Sequence, residues 1–145
     1  MLVSAVVALG ITLVLSGTLH PGPYTPAQTF VRIVGQPLPK GITATGHDSA
    51  LTDNLLHHSH FWRLSGDTRA LQTFATRMRM ARSDDDARFM CAAAFEVLPV
   101  SDFAPDDAYP NGSVRLLAGY EGEGRRNAWL CIAPGGREAV YWHED

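Results

Sequence analysis

The sequence predicts an α+β fold: an antiparallel sheet with two or three helices packed on one face, preceded by an N-terminal transmembrane or signal helix. Three observations carry this expectation. Apolar residues recur at helical spacing after Asp67, strand-like runs crowd the C-terminal third between Gly-rich turns, and the first nineteen residues are apolar and uncharged. The strand runs follow one another closely, which suits hairpin pairing and leaves no room for the crossover helices of a parallel sheet.

The chain divides into an apolar signal or anchor segment (1–19), a proline-rich linker (20–26) and one domain (27–145). A domain of that length buries one modest core. Hydrophobic residues make up 46% and charged residues 19%, a balance that collapses into a folded body rather than a disordered chain. The net charge of −3 has no long run of either sign and gives no electrostatic reason to bind nucleic acid. Eleven of the twelve basic residues are Arg, which points to a GC-rich bacterial source.

No Asp, Glu, Lys or Arg occurs from Met1 to Val31. Nineteen helical residues would reach roughly 28 Å, close to the thickness of a hydrocarbon core. A cleaved signal peptide fits the apolar stretch Leu2–Leu15, with Val14 and Ser16 placed as cleavage-site residues. A retained anchor fits as well, since no cation opens the segment. Arg32 and Lys40 follow it and pull toward a cytoplasmic domain, whereas the signal-like length favours an extracytoplasmic one. We expect the domain to be anchored at the membrane through residues 1–19, or secreted, and to lie outside the cytoplasm.

His20–Pro26 holds three prolines and reads as extended linker. Thr25 caps a short helix that Pro26 opens, Phe30, Ile33 and Val34 give an apolar side, and Gly35 ends it. Ile42–Thr45 predicts a short strand, Gly46–Asn54 a polar turn, and Leu55–Leu64 a second strand with His58, His60 and Trp62 on one face. Asp67 caps a helix carrying Leu71, Phe74, Ala75, Met78 and Ala81, with Arg77, Arg79 and Arg82 near its end. Asp84–Val97 reads as a strand or as a helix presenting Ala87, Met90, Cys91, Ala94, Phe95 and Leu98; the alanine triplet tilts it to helix. Pro99–Gly112 is a loop. Ser113–Tyr120, Asn127–Ala133 and Glu138–Trp142 form the closing meander.

The stretches GQPLPKGITATGHDS, HFWRLSGDTRALQTFA and WLCIAPGGREAVYWHED together resemble small exported or membrane-anchored bacterial α+β proteins of unassigned function. The likeness runs over roughly residues 30–145. It implies an α+β fold and export, and it carries over no catalytic residue.

His57-His58-Ser59-His60 is the most pointed chemical feature. In a strand His58 and His60 project to one side, at a spacing that lets two imidazoles share a metal. A third ligand would come from His47, Asp48 or Asp53 across a hairpin; the plain alternative is a histidine-rich edge strand facing water. Cys91 and Cys131 are the only thiols, and they either pair as a disulfide in an oxidising compartment or stay buried and free. No C-x-x-C motif is present, which excludes thioredoxin chemistry and zinc ribbons.

Other patterns are local structure. Ser65 in Leu-Ser-Gly-Asp sits at a strand-to-helix turn, a place where hydrolases put a nucleophile, but it reads as turn. Gly119–Gly124 lacks the order and the following helix of a phosphate loop and reads as a hairpin. Asp84–Asp86 and Asp102 with Asp106 and Asp107 lack calcium-loop spacing, and Asn111-Gly112-Ser113 is a turn. Trp62, Trp129 and Tyr141 belong to the core, while Trp142 near the chain end is placed to reach a partner or headgroup. No cofactor motif and no catalytic constellation is present. The expectation is a non-enzymatic envelope domain with a binding or structural role. The rivals are a small metal-binding protein or metal-dependent enzyme built on His57–His60, and an accessory subunit of a membrane complex.

Overall fold

The computed structural model describes residues 23–51, 58–101, 114–122 and 127–144. The apolar segment 1–19, most of the linker, His57, Asp53, the Asp102–Asp107 cluster and the Asn111–Ser113 turn lie outside them. No described helix is long and apolar enough to cross a membrane.

Along the chain come α1 (Pro26–Val34), β1 (Thr43–Leu51), β2 (His58–Ser65), α2 (Thr68–Arg77), β3 (Met80–Arg82), α3 (Asp84–Val97), β4 (Ala118–Gly122), β5 (Ala128–Ile132) and β6 (Glu138–Glu144). The six strands form one sheet in the order β1-β2-β6-β5-β4-β3, each neighbouring pair antiparallel. The fold is α+β, with three described helices.

The helices do not share one face. Phe30 and Val34 of α1 and Leu71, Phe74 and Ala75 of α2 pack with Trp62, Leu64, Leu130, Ile132 and Tyr141 on one side of the sheet. Ala87, Cys91, Ala94 and Phe95 of α3 pack with Phe61, Trp129, Cys131, Val140 and Trp142 on the other. The cause lies in the central strands. All five residues of β5 are buried, as are Ala139–His143 of β6, so both their faces need covering.

Local chemistry explains most boundaries. Thr25 Oγ1 accepts from the Gln28 amide while Gln28 Oε1 accepts from the Thr25 amide, a reciprocal cap that opens α1. Gly35, at φ 82°, ends it. Asp67 Oδ1 accepts from the Ala70 amide at 2.7 Å and opens α2. Asp84–Val97 is a helix: three aspartates in its first turn suit the helix dipole, and four residues at helical spacing meet the sheet.

Two elements depart from the sequence expectation. The stretch from Gly46 is strand rather than turn: β1 runs on to Leu51 opposite His58, with an irregularity between Ala44 and Gly46. The second helix stops at Arg77, because Arg79 takes a left-handed conformation at φ 56° and turns the chain into β3. That reversal puts Met80, 9% exposed, into the core opposite Gly122.

Candidate functional site

The histidines gather on the α1/α2 side of the sheet, at one end of β1, β2 and β6. Strand pairing puts them there. His47 lies opposite Trp62, Trp62 opposite Tyr141, and His60 opposite His143. Because side chains alternate along a strand, His58, His60 and Trp62 share the face that Tyr141 and His143 supply from β6.

His47 Nε2 and His60 Nδ1 are 3.3 Å apart. Their rings lie nearly parallel, with centroids 5.6 Å apart, and His47 also leans on Trp62 at 4.9 Å. His58 stacks on His60 at 6.1 Å, and His60 on Trp62 at 5.7 Å. On the next strand Tyr141 Oη meets His143 Nδ1 at 3.4 Å, and His143 is 2% exposed. Nearby, the Trp62 indole N–H is buried with no hydrogen-bond partner among the described residues.

Electrostatics follow the packing. Burial pushes the His47 pKa below its ordinary 6.5, the neighbouring His60 pushes it the same way, and Asp48 opposes them. In the neutral pair one ring N–H can lie between the two nitrogens, whereas charging both rings sets like charges side by side. At neutral pH His47 therefore stays neutral, with a ring nitrogen able to accept a hydrogen bond or donate a lone pair.

Of the residues singled out from sequence, the structure brings His47 and His60 together. His58 faces His60 ring to ring, and Asp48 acts on His47 only through its charge. Among the described residues no group of three or more His, Cys, Asp or Glu side chains is arranged to hold a metal ion. The strand that carries His58 and His60 is not an edge: β1 flanks it on one side and β6 on the other. His143 escaped notice in the sequence, and Tyr141 was read there only as a core residue. Their signal was present, as Tyr141 and His143 alternate in the last strand, but only the β2–β6 pairing brings them beside His60.

Cys91 and Cys131 are bonded, with Cα atoms 5.7 Å apart, and join α3 to β5 inside the second core. Trp142 is buried at 9% exposure and stacks on Phe61 at 5.6 Å, so it offers no surface to a partner. Pairing with the central strand β2 draws it inward despite its place near the chain end. Ser65 lies at the far end of β2 from His58. It lines an open depression of about 620 Å³ with Asp67, Arg69 and Arg137, and no histidine lines that depression.

No family model, curated protein or solved structure matches this chain. The resemblance to exported bacterial proteins therefore stays an expectation of the sequence, and any activity has to be argued from the site itself.

Proposed function

We propose that this chain is an exported or membrane-anchored envelope domain with a binding or structural role. The observation that carries the reading is the Cys91–Cys131 bond between α3 and β5, with both cysteines fully buried. Such crosslinks form and persist in oxidising compartments and are rare where thiols are kept reduced. The uncharged apolar stretch 1–19 points the same way.

Quenching cells in acid, alkylating the denatured protein, then reducing it and alkylating with a second reagent, tests this. We expect Cys91 and Cys131 to carry only the second label, and the chain to fractionate with the membrane or outside the cytoplasm. Full first labelling of protein from the soluble cytosolic fraction would overturn the reading.

A second reading rests on the imidazole contact. Nitrogen atoms 3.3 Å apart on His47 and His60 suit a zinc or copper ion completed by solvent or by a ligand. Elemental analysis of untagged protein discriminates. Stoichiometric metal that is lost in a His47→Ala, His60→Ala variant but kept in His58→Ala supports it; metal-free wild-type protein that gains none on dialysis against zinc or copper removes it.

A further inference from the structure

The outer side of α1 carries an apolar surface that the rest of the described fold leaves uncovered. Phe30 and Val34 of this helix enter the core, whereas Tyr24 and Val31 are 49% and 46% exposed. With Ala27, Gln28 and Arg32 they line an open groove of about 390 Å³. The Arg32 guanidinium carbon lies 5.0 Å over the Tyr24 ring. An aromatic ring beside a stacked cation, next to an aliphatic strip, is the composition of a surface at the boundary between lipid and water.

Two facts of the sequence indicate what meets it. The uncharged apolar stretch ends at Leu19, and residues 20–23 alone separate it from Tyr24. Five extended steps from Leu19 to Tyr24 span at most about 18 Å, so a retained anchor keeps α1 within reach of the headgroup layer. The first acidic residue of the chain is Asp48, so Arg32 and Lys40 are the only Lys, Arg, Asp or Glu before it. Nothing on α1 would repel an anionic lipid.

We propose that the Val31 and Arg32 face of α1, with Tyr24 just before the helix, rests on the headgroup layer of the bilayer that holds residues 1–19, with a preference for anionic lipid. This rests on the membrane-anchored form of the reading above. In that arrangement the helix fixes how the sheet stands on the membrane, and the anchor acts as more than a tether.

Full-length oxidised protein carrying Val31→Cys, labelled with a fluorophore and reconstituted into vesicles, tests the proposal. A matching Thr73→Cys sample, labelled at an exposed position of α2, is the reference. Intact mass and circular dichroism check that each variant keeps the Cys91–Cys131 bond and the fold. Headgroup-linked nitroxide lipids should quench the Val31 label about threefold more than the Thr73 label in phosphatidylglycerol vesicles, and less strongly in phosphatidylcholine alone. Flotation with vesicles but equal quenching at the two positions overturns the proposal and leaves the anchor standing; the groove then belongs to residues 1–19 or to a second copy. Failure to float at all overturns both.

Discussion

His47 is the residue whose environment makes the clearest demand on solution behaviour. Its pKa is depressed in the folded state, so the unfolded chain binds the proton more readily. Stability from this group is therefore fully present above pH 6.5 and is lost as pH falls from there through the depressed folded value. Asp84 and Glu138 work lower. Burial would raise Asp84, but the Gly119 amide and Arg82 outweigh it; bonds from Ser101 lower Glu138 against a smaller burial effect. Both contributions are present above their ordinary values of 3.8 and 4.5 and fade below them. Chemical denaturation between about pH 6.5 and 4.5 should thus show a falling stability that His47→Gln makes shallower. An unchanged slope in that variant would contradict the account. Gly119 is the second sensitive residue. A Cβ there would collide with the Ala87 methyl, backbone-close on α3, so Gly119→Ala should cost about 2–3 kcal/mol in a urea titration.

Among the elements, α3 and β5 are held together by more than contact. The Cys91–Cys131 bond closes a loop with a sequence separation of 40 residues, worth about 4 kcal/mol in the chain-entropy view. Reduction without alkylation should lower the unfolding free energy by up to that amount, and a Cys91→Ala, Cys131→Ala variant should show the same loss and no response to reductant. Equal stability of oxidised and reduced protein would argue against it. Elements also show where the sequence was readable. Caps at Thr25 and Asp67 and the apolar spacing of Leu71, Phe74 and Ala75 mark α1 and α2 plainly. Only the start of β1 was legible, at Ile42–Thr45; its distal part is an edge where Asp48, Ser49 and Ala50 are exposed, so no alternation betrays the strand there. β3 was hidden because an arginine, not a glycine, supplies the left-handed turn at position 79. The histidine cluster was half legible. The His58/His60 spacing is local, whereas the approach of His47 and His143 depends on registers that pair distant stretches.

At the scale of the molecule, the sheet divides two cores, and the last of the described strands runs between them. β6 pairs with β2 on one side and β5 on the other, and it supplies Ala139 and Tyr141 to one core and Val140 and Trp142 to the other. The expectation of helices on one face failed here. A continuous apolar run such as Ala139–Trp142 contains both faces at once, and only the helices that arrive on each side show that both are covered. Replacing Val140 and Tyr141 together with Ser should abolish cooperative unfolding, measured by circular dichroism against temperature, because each substitution opens a cavity in a different core. A double variant that still melts in one sharp transition near the wild-type temperature would show that β6 contributes less to both cores than this account requires.

The central place of β6 also sets an order of events. Until residues 138–144 leave the site of synthesis, β2 and β5 have no strand to bridge them, and the sheet stays in two unjoined parts. Neither core can therefore be completed before residue 144 is available, because β6 contributes side chains to both.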